Sequence, residues 1–169
     1  IREELEQALA VYQAHRCVVI SDEIWSDILL NGHKHTPTQS VSPDARSRTI
    51  ALYAPRKTFN LAGLVGSYHI IYDACLRDLC RARASKCHYN NMNVLSMHAL
   101  TGAYRPEGQV WVDELCQVLS GNINYACDYI REHFEGVEAA RPVGTYMLFV
   151  DCTQWCAAHG KTIDDVEKA

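Results

Sequence analysis

Lys57 is the residue whose surroundings most favour chemistry. It lies in the run APRKTFNLAGL (residues 54–64), just beyond the apolar segment 49–54, which predicts a β-strand. A lysine between a proline and a small, Gly-containing turn is poorly explained as a solvated surface charge. An amine held at the mouth of a sheet can instead form a Schiff base with a carbonyl compound.

Asp22 occupies an equivalent position on another predicted strand. Residues 17–20 are apolar at consecutive positions, which predicts a strand buried on both faces, and Asp22 and Glu23 follow at its carboxyl end. In open α/β sheets ligands bind beyond the carboxyl ends of the strands, so Asp22 and Lys57 are expected at one cleft. These two residues alone do not decide between a structural salt bridge and a pair with a functional role.

The elements around these residues predict an α/β fold. A helix at about 2–14 precedes the first strand, and strands at about 49–54 and 68–72 follow it. The first two strands are separated far enough for a parallel crossover. About a dozen residues before the third strand favour an antiparallel neighbour instead. A mostly parallel sheet with one reversed strand is therefore expected.

The rest of the chain is predicted to be mainly helical. The expected elements are helices at about 74–84, 91–104 and 109–134, a strand at 146–150, and helices at 152–159 and 162–169. Residues 31–48 are polar and predict a loop, in which His33 and His35 are expected to be solvated. Asn90, Asn91 and Asn93 are expected to cap the next helix.

Composition and charge argue against several classes of function. Of the 169 residues, 48% are apolar and 21% charged, as in ordinary globular proteins. The net charge of -4 gives no electrostatic reason to expect nucleic acid or an anionic membrane as a partner. No apolar stretch approaches the roughly 20 residues of a membrane span. The eight cysteines lack any CxxC spacing, so we expect free thiols in a reducing cytoplasm and no metal site.

Two motifs together resemble a known family. The run SDEI (residues 21–24) is followed about 35 positions later by APRKTFNLAGL. This pair resembles the fold-type I enzymes of the aminotransferase class I and II superfamily, which use pyridoxal 5′-phosphate (PLP). Within the superfamily the chain is most similar to the MalY/PatB-like cystathionine β-lyase, or carbon–sulfur lyase, branch. The resemblance extends to YNNMN (residues 89–93) and GTYM (residues 144–147).

The resemblance implies a cofactor and roles for three residues. Lys57 would bind PLP covalently and then act as the base that removes the Cα proton of an amino-acid substrate. Asp22 would face the pyridine nitrogen and keep it protonated, and Ile24 would also contact the cofactor. The implied reaction is the α,β-elimination of cystathionine or cysteine-like amino acids to a thiol, pyruvate and ammonia. An aminotransferase on the same scaffold and a non-enzymatic regulatory protein of this fold remain alternatives.

Two residues depart from the family pattern. Arg56 stands where the family usually has Ser. Its guanidinium could pair with the cofactor phosphate, or its positive charge could lower the pKa of the neighbouring lysine. It could also be an unfavourable replacement in a degraded copy. Trp25 replaces the His that many members of the lyase branch carry, and an aromatic ring there could still form a wall of the cleft.

The resemblance also implies that the chain is an internal piece of a longer protein. Residues 1–110 are expected to form the C-terminal half of the large PLP-binding domain, and residues 111–169 the start of an α+β small domain. The phosphate-binding loop and the arginine for the substrate carboxylate are expected outside the chain. The isolated chain is therefore expected to be inactive, and the complete enzyme to be a homodimer, because family active sites form between subunits.

Overall fold

The computed structural model describes residues 2–88 and 91–168, which divide into two compact units. The first unit contains the residues up to Asp27 together with Lys34–Val110. The second contains Ile28–His33 and the residues from Trp111 onward. Ile28–His33 thus belongs to the second unit although the sequence on both sides of it belongs to the first.

A three-stranded sheet forms the centre of the first unit. Strand β1 (Val19–Asp22) pairs in parallel with β2 (Thr49–Tyr53), and β2 pairs in antiparallel with β3 (Tyr68–Ile70). Asp22 lies opposite Leu52, so β1 and β2 end at the same edge of the sheet. The predicted arrangement of a parallel pair with one reversed strand is confirmed.

Within the part of the chain that the structure describes, β1 is covered on one face only, whereas burial on both faces was predicted. Val18 and Ile20 are 55% and 69% exposed, whereas Val19 and Ser21 are partly buried. Successive side chains of a strand point to opposite faces of the sheet, and the described residues cover only one of those faces.

The helices of the first unit follow local capping signals. They are α1 (Arg2–Ala14), α2 (Pro43–Arg48), α3 (Ala74–Cys87) and α4 (Val94–Ala103). Helix α2 lies in a region predicted as loop. It forms because the Ser42 hydroxyl accepts a hydrogen bond from Ala45 N (3.0 Å) and Pro43 occupies the first helical position. Asn93 caps α4 as predicted, through Ser96 N, while Asn90 lies outside the described residues.

The long helix α5 (Pro106–His133) starts in the first unit and continues into the second. It begins three residues earlier than predicted, because a proline suits the first helical position. Strands β4 (Glu138–Ala140) and β5 (Phe149–Asp151) then pair in antiparallel, and α6 (Thr153–His159) and α7 (Ile163–Glu167) complete the unit. The strand predicted at 146–150 is correct only at its end, and β4 was not predicted.

Residues 28–30 contribute to the interior of the second unit. Leu30 is buried with Ile123 and Cys127, and its N–H donates to Val143 O (3.0 Å). A Cβ atom at Gly144 would lie 2.9 Å from the carbonyl oxygen of Ile28, so this approach requires glycine. Main-chain contact with the 143–145 segment therefore holds residues 28–30 in the second unit.

Two further features concern membranes and metals. Across residues 2–88 and 91–168, none of the helices combines the length and apolar character that crossing a membrane requires. The same described residues contain no group of three or more His, Cys, Asp or Glu side chains arranged to hold a metal ion.

Candidate active site

The turn that follows β1 presents Asp22 at the edge of the sheet. Asp22 is exposed, and its Oδ1 accepts a hydrogen bond from Ile24 N (3.2 Å). The turn closes where Ser26 N donates to Glu23 O (3.0 Å). A side chain that bonds the backbone two residues ahead stabilises such turns, so Asp22 helps to shape the loop that carries Ile24 and Trp25.

The turn that follows β2 carries Lys57. Phe59 N donates to Pro55 O (2.9 Å) and Leu61 N donates to Arg56 O (2.9 Å), so the backbone coils tightly around the lysine. Arg56 is exposed, whereas Lys57 is partly buried. Every other lysine of the chain is exposed, namely Lys34, Lys86, Lys161 and Lys168. Partial burial thus distinguishes Lys57 from the solvated lysines.

Two contacts join these turns. The Nζ atom of Lys57 lies 5.1 Å from the centre of the Trp25 ring, within the range of a cation–π interaction. Thr58, which is 1% exposed, donates from Oγ1 to Asp27 Oδ2 (2.9 Å). The structure therefore brings Lys57 against Trp25. Asp22 and Lys57 lie on the two turns at one edge of the sheet.

Beside these turns lies a buried carboxylate that the sequence reasoning missed. Glu23 is only 5% exposed and accepts hydrogen bonds from Ser21 Oγ and Thr38 N at 3.0 Å and from Tyr53 Oη at 2.7 Å. His35 Nε2 lies 2.7 Å from its second oxygen. One carboxylate therefore links β1, the loop 33–38 and β2.

These contacts determine how Glu23 and Tyr53 titrate. Burial opposes ionisation of Glu23, but hydrogen bonds from His35, Tyr53, Thr38 and Ser21 outweigh it and lower the pKa of the carboxyl. Burial, together with the hydrogen bond to Glu23, raises the pKa of Tyr53. Glu23 is therefore a buried anion at neutral pH with neutral Tyr53 as one of its donors.

His35 is exposed, as predicted, but it is not simply solvated. Its side chain is 31% exposed and pairs with the buried Glu23 carboxylate. The two residues are 12 positions apart on a strand end and a polar loop, and their spacing carries no recognisable pattern. A charged residue directly after the strand was the one signal that could have directed attention to Glu23.

We expect Glu23→Gln to destabilise the protein by about 1–3 kcal/mol at pH 7, because an amide cannot accept from all four donors. The folded-state pKa of Glu23 is lowered, so its contribution is present above its ordinary value of 4.5 and is lost as the pH falls through the lowered value. Urea unfolding at pH 7 and at pH 3.5 measures this difference. Equal destabilisation at both values would contradict the account, and the exposed Glu135→Gln serves as the control.

An aromatic cluster packs beside the Lys57 turn. The Tyr53 and Tyr68 rings stack with centroids 5.5 Å apart, and Tyr104 meets Tyr68 edge to face at 5.9 Å. Phe59, from the Lys57 turn, contacts Tyr104 in the same manner at 6.2 Å. Burial and a hydrogen bond with Tyr68 raise the pKa of Tyr104. Neutral aromatic side chains thus support the turn from within the first unit.

Comparisons with known proteins identify the family of the chain. The family model for aminotransferase class I and II matches residues 2–161. Cystathionine beta-lyase PatB of Bacillus subtilis (strain 168) is 35% identical over 150 residues, which is 89% of this chain and 38% of PatB. The chain therefore spans about two fifths of the length of this relative.

Solved structures of PLP-bound proteins share the fold of this chain. A PLP-bound protein of Clostridium difficile 630 superposes with a TM-score of 0.91 at 33% identity, over 99% of this chain and 42% of that one. The PLP-bound C-S lyase of Staphylococcus hominis gives a TM-score of 0.85 at 28% identity, over 96% of this chain and 40% of the lyase. With a family model that covers nearly all of its residues and a fold shared with PLP-bound proteins, the chain belongs to the aminotransferase class I and II family.

Proposed function

We propose that the protein carrying this chain is a PLP-dependent carbon–sulfur β-lyase that acts on cystathionine or cysteine-like amino acids. The observation that carries the proposal is the placement of Lys57. The residue is partly buried near the carboxyl edge of two parallel strands, and its amine lies against Trp25. Such an edge is where open α/β sheets bind ligands.

The side chains at this edge fit PLP. Lys57 supplies an amine that can bind the cofactor aldehyde, and Asp22 supplies an exposed carboxylate for its pyridine nitrogen. Ile24 lies in the same turn as Asp22 and would contact the ring. When bound, PLP withdraws electrons from the substrate Cα and so makes loss of the Cα proton feasible.

The chain's own residues then have separate tasks. Lys57 Nζ accepts the proton from the substrate Cα as a general base. The Asp22 carboxylate holds a proton on the ring nitrogen through its negative charge. Trp25 gives the lysine an apolar wall that excludes water from one side of the amine. Overall, elimination of the thiol from a substrate with sulfur on Cβ, followed by hydrolysis with one water molecule, yields a thiol, pyruvate and ammonia.

The choice of a lyase is supported by the similarity to cystathionine beta-lyase PatB and to the solved C-S lyase of Staphylococcus hominis. The family as a whole is named for aminotransferases, so an aminotransferase on the same scaffold is the second candidate. The two reactions differ in what they require. A lyase needs no acceptor for the amino group, whereas an aminotransferase needs a 2-oxo acid.

Product formation from cystathionine separates the two candidates. We expect pyruvate and free thiol to accumulate without any added 2-oxo acid, and adding 2-oxoglutarate to leave the rate unchanged. The assay follows pyruvate by coupled reduction and thiol by a colorimetric reagent. Strict dependence on 2-oxoglutarate would overturn the lyase proposal and favour the aminotransferase.

The proposal extends to domains and assembly. Residues 1–110 are assigned to the large PLP-binding domain and residues 111–169 to the start of the small domain. Because the chain covers about two fifths of PatB, groups for the cofactor phosphate and the substrate carboxylate are assigned to residues outside it. The isolated chain is therefore expected to be inactive, and the working enzyme is proposed to be a cytoplasmic homodimer.

A further inference from the structure

The Lys57 turn is attached to the neighbouring turn at two adjacent residues. Lys57 contacts Trp25, and Thr58 donates to Asp27. One of these contacts involves a flexible side chain and the other a buried hydroxyl. A buried hydroxyl that bonds a carboxylate has one favourable orientation, so it restrains the backbone on which the lysine is mounted.

We propose that Thr58 and Asp27 are positioning residues that hold the Lys57 amine over Trp25 in the orientation required to capture PLP. This inference rests on the proposed function and adds to it the hydrogen bond that orients the lysine. Neither residue needs to contact the cofactor. Their hydrogen bond fixes the 55–61 turn against the 23–27 turn, and Lys57 is the residue directly before the anchored threonine.

The local geometry explains why a threonine serves here. Its methyl group fills buried space while its hydroxyl reaches Asp27 at 2.9 Å. Valine has the same shape but no hydroxyl, so Thr58→Val would leave the Asp27 carboxylate without this donor. Serine retains the donor. The pair of variants therefore separates the hydrogen bond from the packing of the side chain.

The test is trace acetylation of the protein, with the reactivity of Lys57 measured against that of exposed Lys86 by mass spectrometry. We expect Thr58→Val to raise the relative reactivity of Lys57 about tenfold, because the amine is released from the Trp25 ring, while Thr58→Ser stays near wild type. In the same variant, borohydride-trapped PLP on Lys57 should fall about tenfold. Acetylation of Lys57 rises while PLP trapped on Lys57 falls only if the amine has lost its orientation.

A matched control is available in the same unit. Thr49 is fully buried, and its hydroxyl has no hydrogen-bond partner within the part of the chain that the structure describes. Thr49→Val should leave both readouts unchanged. If Thr58→Val does not fold, Asp27→Ala removes the same bond from the other side and should give the same two changes.

The outcomes separate this inference from the proposed function. Unchanged acetylation of Lys57 in both Thr58→Val and Asp27→Ala would overturn the positioning role. If wild-type protein traps no PLP on Lys57, the proposed function fails, yet the acetylation ratio still decides whether Thr58 and Asp27 hold the amine. Equal effects in Thr58→Ser and Thr58→Val would assign the result to packing and would also overturn the inference.

Discussion

Replacing Lys57 with alanine is expected to abolish covalent attachment of PLP and to lower β-elimination by about 10²–10⁴-fold through loss of the proton acceptor alone. Alanine has neither an amine to bind the cofactor aldehyde nor a base within reach of the substrate Cα. In the wild-type protein, covalently attached PLP should absorb at about 420 nm, and this band should be absent from the variant.

The control for Lys57→Ala is Lys86→Ala, because Lys86 is an exposed lysine of helix α3 in the same unit. It should leave the absorbance and the rate unchanged. A variant without Lys57 that keeps both the band and the activity would contradict the assignment of this lysine. If the wild-type protein shows no band and Lys57→Ala changes nothing, the non-enzymatic alternative gains support.

Replacing Asp22 with asparagine is expected to leave PLP bound but to slow removal of the Cα proton by about 10²–10³-fold, a loss typical of a missing electrostatic partner. Asparagine is nearly the same size, but it lacks the charge that retains the proton on the pyridine nitrogen. The measurement is exchange of the substrate Cα proton in deuterated water, followed by NMR, alongside the absorbance of bound cofactor.

An exposed aspartate of the same unit provides the comparison for Asp22→Asn. Asp78 lies on α3 with its side chain 68% exposed, and Asp78→Asn should leave proton exchange unchanged. Exchange at the wild-type rate in Asp22→Asn would contradict the proposed role of the carboxylate. Loss of the cofactor from this variant would show that Asp22 is required to retain PLP, beyond its effect on proton removal.

The edge at which Asp22 and Lys57 lie could be predicted because it depends on strand polarity alone. An apolar run, a crossover of sufficient length and a second apolar run predict two parallel strands. Their carboxyl ends then share one edge, as β1 and β2 do. The reversed third strand also followed from chain length, since the segment before it is too short for a crossover helix.

The buried Glu23 network could not be predicted in the same way. Its donors come from β1, from β2 and from the loop 33–38, so the contacts exist only after the strands have paired. The polar composition of the loop predicted an exposed His35. Nothing in the local sequence reveals that its ring would bond a buried carboxylate 12 residues earlier. Tertiary packing rather than local propensity decides such residues.

Tertiary contacts also explain why Ile28–His33 belongs to the second unit. The segment is a short polar–apolar connection in the sequence. Its backbone pairs with residues more than a hundred positions later, where Gly144 permits the close approach. The isolated bridge between Leu29 and Gly144 involves too few residues to form a recognisable strand pattern.

The central claim, that Lys57 is the lysine that binds PLP, has one most direct test. The full-length protein that carries this chain is incubated with PLP, reduced with borohydride, digested and mapped by mass spectrometry. We expect the reduced cofactor on the peptide that contains Lys57, with the exposed Lys34, Lys86, Lys161 and Lys168 unmodified at stoichiometric PLP. Attachment spread evenly over the exposed lysines, with Lys57 unmodified, would contradict the account.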